Sequence, residues 1–184
     1  MAGAIPLLSR VLDMDQTITL VLRLLHIVSG VFWAGAVFLM VGFVFPSVRD
    51  AGPGGAPFMQ QIQRRRLPVF MNAAAGLTML SGLILYGRAI AMTDGAWART
   101  NSAMIFGVGG VATIVAAIIG GAFVSRSGVR LGKLGEAIQA AGRPPSAEQA
   151  AEMAALQAKM GKGMRIVASL LLVAVIAMAT ARYL

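Results

Sequence analysis

Residues 17–45 read TITLVLRLLHIVSGVFWAGAVFLMVGFVF, an apolar run of 29 residues that is followed by Pro46. A bilayer core about 30 Å thick is crossed by about 20 helical residues, so this run is long enough to span it. Its ionisable side chains are those of Arg23 and His26. We expect these residues to form the first of several membrane-spanning helices and Pro46 to end it.

Three further apolar runs follow, over about 67–92, 102–124 and 164–181. The chain has 184 residues, is 58% hydrophobic and 12% charged, and has a mean hydropathy of +0.78, whereas a soluble domain is about 25% charged. The alternating segments of about ten residues that a membrane β-barrel requires are missing. The sequence therefore predicts a single-domain, all-α integral membrane protein, a bundle of four transmembrane helices in a lipid bilayer.

The composition excludes several kinds of chemistry. There are no cysteines and there is one histidine, which rules out disulfides, iron–sulfur clusters, cysteine nucleophiles and multi-histidine metal centres within one chain. No Asp or Glu lies inside a predicted span, which argues against a proton relay or cation carrier built on buried carboxylates. The net charge is +9, but the basic residues border apolar runs, so we expect them to contact the membrane and not nucleic acid.

The lysines and arginines predict an orientation, because loops on the cytoplasmic side carry more of them. Four lie at the side of the bundle that also holds both termini, namely Arg10, Arg88, Arg99 and Arg182. Eleven lie in or beside the loops at the opposite side, namely Arg49, Arg64, Arg65, Arg66, Arg126, Arg130, Lys133, Arg143, Lys159, Lys162 and Arg165. We therefore expect a protein of the bacterial inner membrane with both loops cytoplasmic and both termini periplasmic.

Residues 125–163, which connect the third and fourth runs, also show helical patterns. Val129, Leu131, Leu134 and Ile138 form one apolar stripe, and Met153, Leu156 and Met160 form another. Between them, residues 142–145 form a turn, and Ser146 followed by Gln149 predicts a capping box that begins the next helix. Spans three and four are therefore expected to extend into the cytoplasm as an antiparallel helical hairpin with these stripes as its seam.

Small residues recur in the spans at the spacing of a helix face, as in Gly30 with Ala34 and Ala116 with Gly120. In lipid, small side chains let two helix backbones approach closely. We expect most of these glycines to pack against a neighbouring helix, and some to make room for a flat cofactor.

Arg23, His26, Gly30 and Trp33 lie on one face of the first span, since they are separated by three, four and three residues. Ionisable groups inside a membrane are costly and often functional. The pattern suits a haem lying edge-on to the helix. His26 would bind the iron, Arg23 a propionate, and Gly30 would leave space for the ring. Alternatively, Arg23 reaches the headgroups and His26 binds a backbone carbonyl, or the pair serves proton or quinone chemistry.

A single histidine supplies one axial ligand to a haem. Met79 is a candidate for the other, because counting from the ends of spans one and two places it at about the depth of His26. Other candidates are an open position or His26 of a second copy in a homodimer. A bacteriochlorophyll is an alternative pigment, since its magnesium needs only one axial ligand. No cofactor at all is also consistent with the sequence.

The stretch Leu22-Arg-Leu-Leu-His-Ile-Val-Ser-Gly-Val-Phe-Trp-Ala-Gly-Ala-Val-Phe-Leu39 resembles the first helix of small bacterial membrane proteins related to the copper-resistance CopD family. It is also similar, more weakly, to the HemJ family of membrane protoporphyrinogen oxidases. The segments 66–68 (Arg-Leu-Pro), 80–83 (Leu-Ser-Gly-Leu) and 181–184 (Ala-Arg-Tyr-Leu) resemble a four-span CopD-like family. The resemblance implies a four-helix bundle in the inner membrane, and the HemJ likeness implies haem b bound through His26.

Two functions are consistent with these features. The first is a haem-binding membrane protein with a role in electron transfer or porphyrin chemistry. The second is a non-catalytic accessory subunit of a larger respiratory or photosynthetic complex, with or without a chlorin. A transporter is a weaker candidate, because the spans lack buried carboxylates and a broken helix.

Overall fold

The computed structural model describes the backbone of residues 4–184 and the side chains of residues 14–184, apart from Pro53 and Ala56. Arg10 lies outside the side chains described. These residues form seven α-helices and two short 3₁₀ turns, with a π-helical turn in each of two long helices. The bounds are α1 Ala4–Leu39, π turn Met40–Val44, α2 Phe45–Asp50, 3₁₀ turn Gly52–Gly54, α3 Gly55–Arg64, α4 Leu67–Ala91, 3₁₀ turn Trp97–Arg99, α5 Asn101–Ile119, π turn Gly120–Ser125, α6 Arg126–Ala140 and α7 Ala147–Thr180.

Four continuous helical stretches are long and apolar enough to cross a membrane: 14–50, 67–91, 101–140 and 147–180. Most of their large apolar side chains are exposed on the outside of the bundle, where water would be unfavourable and lipid is favourable. No strand occurs within the described residues. The predicted fold is therefore confirmed: the chain is an all-α, multi-pass membrane protein with four helices that can span a bilayer.

The first span does not end at Pro46 as expected, because the helix continues to Asp50. A π-helical turn at Met40–Val44 directly precedes the proline, and the Phe45 N–H donates to the Met40 carbonyl, five residues back. This turn places Pro46 in the first turn of α2, where its missing N–H and its ring are tolerated. A single widened turn thus lets a proline lie within a long helix.

The bundle consists of two antiparallel helix pairs, α1 with α4 and α5 with α7. Smaller contacts of α1 with α7 and of α4 with α5 close the ring. The pairs meet most closely around Trp33, Val37, Ala75, Ala116 and Val167, which are all buried. This apolar core lies beside the two π turns, at one end of the bundle. The half of α1 that precedes Trp33 lies outside the core and packs mainly against α4.

The helical hairpin predicted for residues 125–163 is present, formed by α6 and the first half of α7. The Ser146 Oγ accepts from the Gln149 N–H at 3.2 Å, and the Gln149 side chain accepts from the Ser146 N–H at 2.9 Å, so the capping box is confirmed. Leu156 is buried in the seam, and the Met160 methyl lies against Gly128. Val129 does not belong to the seam, because 59% of its surface is exposed.

The glycines of the spans divide into two groups, so the expected packing role holds for only some of them. Four glycines face an atom of another helix at a distance that leaves little or no room for a side chain, namely Gly30, Gly82, Gly109 and Gly163. A second group has no such atom within 4 Å of the position that a Cβ would take, namely Gly35, Gly42, Gly76, Gly110, Gly120 and Gly121. The Cβ positions of the second group therefore face outward into open space. Gly35, Gly42 and Gly121 are exposed, and the other three are half-buried.

Candidate functional site between helices α1 and α4

His26 joins α1 to α4 through a side-chain hydrogen bond. Its Nδ1 lies 2.8 Å from the carbonyl oxygen of Thr78. A carbonyl oxygen can only accept, so Nδ1 carries the proton and donates it. In the neutral ring, Nε2 is then the nitrogen with the free lone pair.

Three hydroxyl groups complete a polar cluster around this bond. The Ser29 and Thr78 hydroxyls are 2.8 Å apart across the helix pair, and the Ser81 hydroxyl donates to the Thr78 carbonyl at 3.2 Å. The Thr78 hydroxyl also donates to the Ala74 carbonyl at 2.8 Å. All three side chains are buried, and in an apolar surrounding an unpaired hydroxyl would be costly. Each hydroxyl has a partner, so the cluster holds the two helices in one register.

Two glycines allow this close approach. A Cβ on Gly82 would lie 2.7 Å from Cε1 and 3.0 Å from Nδ1 of His26, which is closer than real side chains come. A Cβ on Gly30 would lie 3.4 Å from the Thr78 methyl. The imidazole therefore occupies the space that any larger residue at position 82 would take.

The face expected to carry a haem is occupied by protein. Gly30 faces Thr78, and Trp33 is buried in the apolar core with 5% of its surface exposed. A planar macrocycle on this face would have to displace α4 or the indole, so a tetrapyrrole does not fit between α1 and α4. The remaining route from His26 to such a group is Nε2, which has no partner among the described residues and is not fully buried.

Met79 and Arg23 lie beside the cluster and not in it. Met79 is at the depth of His26, as expected, but it is the neighbouring Thr78 that supplies the atoms in contact with the imidazole. Arg23 is exposed about one helical turn from His26, and its guanidinium pairs with no carboxylate among the described side chains. Among the predicted site residues, the structure therefore brings only His26 and Gly30 into contact with Thr78.

An ion pair that sequence analysis missed lies further along the same helix pair. Arg88 Nη2 donates to Asp15 Oδ1 at 2.7 Å and to the Thr19 hydroxyl at 3.3 Å, while Arg88 Nε is buried without a partner among the described residues. Eleven residues separate Asp15 from His26, and ten separate Thr78 from Arg88. Both contacts therefore fall in one antiparallel register, and that register would have predicted the pair once the His26–Thr78 contact was known.

Aromatic residues tie α4 to α5 at the same end of the bundle as Arg88. The Tyr86 hydroxyl donates to the Ala103 carbonyl at 3.2 Å, and its ring meets Trp97 edge-on with centroids 5.0 Å apart. Trp97 also lies 6.2 Å from the Phe106 ring. Amphipathic aromatic rings favour the headgroup level of a membrane, so Tyr86 and Trp97 have the character of interfacial anchors at this end.

Nothing else in the described part of the chain resembles a metal centre, since no three His, Cys, Asp or Glu side chains cluster there. No family model matches the chain, and neither a curated protein nor a solved structure matches it. The resemblance to the CopD-related and HemJ families therefore stays a prediction.

Replacing Gly82 tests the contact between the two helices. Gly82→Ala places a methyl group against the His26 ring, so we expect it to break the Nδ1–Thr78 bond and to lower the free energy of unfolding by about 1–3 kcal/mol. Gly87→Ala is the matched control, because nothing lies within 4 Å of its Cβ position and alanine favours a helix. Equal thermal stability of the two variants in detergent would contradict the contact.

Proposed function

We propose that the protein is a non-catalytic subunit of a larger membrane assembly, of the respiratory or photosynthetic kind. The observation that carries this proposal is the set of outward-facing glycines. Gly35, Gly76 and Gly110 lie on three different spans, and no described atom of another helix lies within 4 Å of the position that a Cβ would take at any of them. In lipid, exposed glycine offers little apolar surface, whereas against another helix it permits close backbone contact.

The surroundings of His26 support the same proposal. Its Nδ1 and the neighbouring glycines serve the pairing of α1 with α4. These contacts account for an ionisable residue in the span by the pairing of two helices.

The charge distribution supports a location in the bacterial inner membrane with both termini periplasmic. Arg64, Arg126 and Arg165 all lie at the end of the bundle where the π turns are found. Basic residues concentrate on the cytoplasmic side of inner-membrane proteins. The α6–α7 hairpin would then project into the cytoplasm, where a soluble partner or another subunit can reach it.

A second function rests on a different observation. A metal-bound histidine usually donates the N–H of one ring nitrogen to a carbonyl and binds the metal with the other nitrogen. The Nδ1–H of His26 makes such a bond to the Thr78 carbonyl, and the lone pair of Nε2 is available for a metal. A haem b or a bacteriochlorophyll bound there would have to lie on the outer surface of the α1–α4 pair, where Arg23 is free to pair with a propionate. A haem in this position would supply one-electron transfer.

The assembly can be tested by gentle extraction from the native membrane. We expect the 19.1 kDa chain to migrate within a particle that also contains other proteins. Gly35→Leu combined with Gly76→Leu and Gly110→Leu should release it without lowering its melting temperature, because the Cβ position of each opens on space free of described atoms of the other helices.

Conservative changes at exposed neighbours, Val28→Leu with Leu80→Ile and Val108→Leu, are the control and should leave the particle intact. If the particle contains only copies of this chain, the protein is a homo-oligomer and the proposed assembly with other proteins is wrong. A monomer after gentle extraction would overturn the proposal.

The second function is tested by a reduced-minus-oxidised absorption spectrum of the same preparation. Bands of a b-type haem that disappear in His26→Ala would establish ligation by Nε2, and Met79→Leu would show whether the sulfur is the sixth ligand. A chlorin spectrum would identify bacteriochlorophyll. A colourless wild-type protein that binds no added haemin would exclude a tetrapyrrole at His26.

A further inference from the structure

The segment that joins α2 to α4 carries an unbalanced positive charge. Arg64, Arg65 and Arg66 are consecutive and exposed, and none of them pairs with a carboxylate among the described side chains. Asp50 is the only acidic residue between positions 16 and 93, and it lies 3.5 Å from Arg49. Three guanidinium groups are therefore left to attract an anion from outside the chain.

Arg66 adds a conformational argument. Its φ is +57°, in the left-handed region that favours glycine or asparagine. Its carbonyl nevertheless begins α4 by accepting from the N–H groups of Val69 and Phe70. A smaller residue such as glycine or asparagine would form this turn at lower cost than arginine does. The presence of arginine here therefore points to a use for its charge.

Helix α3 is amphipathic and lies at the same end of the bundle. Met59 packs against the apolar core, whereas Phe58 has 54% of its surface exposed. Gln60, Gln61 and Gln63 form the polar side and are exposed or nearly so. A short helix of this kind lies in the plane of a membrane interface, with its apolar side toward the acyl chains.

An apolar groove of about 370 Å³ opens between α3 and the end of the first span. Its walls include Phe43, Val48, Ala51 and Phe58, and Ser47 is the one polar side chain that lines it. Gly55 lies directly against the Val48 carbonyl, so the corner between α2 and α3 is tight and fixes the two walls. The groove has the chemistry of a hydrocarbon site.

We propose that this end of the protein binds one anionic phospholipid, with its phosphate on the arginines at 64–66 and an acyl chain in the groove. Charge complementarity selects the headgroup, because a guanidinium forms paired hydrogen bonds with phosphate. Arg65, which directly follows α3, is seven residues or two helical turns from Phe58. The contacts to the headgroup and the contacts to the acyl chain are therefore about 10 Å apart along one side of this helix. This separation matches the distance from a phosphate to the upper part of its acyl chains.

The site also connects to the fold. The groove is bounded by the helix that continues past Pro46, so its existence depends on the π turn at Met40–Val44. A bound lipid would hold α2 and α3 against the first span. We therefore expect lipid binding to raise the thermal stability of the whole chain.

The experiment is a titration of the detergent-purified full chain with dioleoyl phosphatidylglycerol, followed by native mass spectrometry. Dioleoyl phosphatidylcholine has the same chains and tests the headgroup. We expect the anionic lipid to form a one-to-one complex and the variant with Arg64→Gln, Arg65→Gln and Arg66→Gln to bind it on the order of 100-fold more weakly, about fivefold per arginine. The control removes the same charge from α6, through Arg126→Gln, Arg130→Gln and Lys133→Gln, and should bind as wild type.

Ala51→Trp separates a site from general attraction to a charged surface, because the indole fills the groove and leaves every arginine in place. We expect this variant to lose the one-to-one complex as well. Unchanged binding by Ala51→Trp, equal weakening by the α6 control, or equal affinity for the two lipids would each overturn the proposal.

Discussion

The structure depends on one constraint: polar groups between α1 and α4 must find partners in each other, because lipid offers none. The bond from His26 Nδ1 to the Thr78 carbonyl is the centre of that arrangement. Ser29 and Ser81 add bonds around it, and Gly82 makes room for the ring. Since each of these contacts requires the same relative position of the helices, together they determine the register that also brings Asp15 to Arg88.

The second helix pair is held together differently. Between α5 and α7 the buried residues of α5 are all small, and Ala116 lies in one apolar cluster with Val167 and Leu171 of α7. Gly109 meets Ala177 directly, with 3.2 Å between the Ala177 methyl and the position of an added Cβ. Close backbone packing thus replaces the hydrogen bonds of the first pair. The two pairs then share the apolar core around Trp33 and Val167, which makes one bundle of them.

Much of the fold was predictable because its signals are local. Apolar runs of sufficient length predict the spans, and Ser146 with Gln149 predicts the start of α7. The effect of Pro46 was predicted wrongly, because a proline usually breaks or kinks a helix, whereas the π turn at Met40–Val44 places it where the helix can continue. The site was predictable only in part: His26 stood out as an ionisable group in a span, but which partner it meets depends on the register of α1 against α4. For the same reason Gly30 and Trp33 suggested space for a cofactor where the structure has Thr78 and the core.

The most direct test of this account is the protonation state of the one histidine in the chain. A sample labelled with ¹⁵N in histidine and ¹³C at the threonine carbonyls gives a single imidazole by NMR. Nδ1 and Nε2 can therefore be assigned without ambiguity at about pH 8, where a free imidazole is neutral. The account predicts a proton on Nδ1, none on Nε2, and a coupling from Nδ1 to the Thr78 carbonyl carbon. A proton on Nε2 with a bare Nδ1 would contradict it, because that ring could not donate to Thr78 and α1 and α4 would be paired by something else.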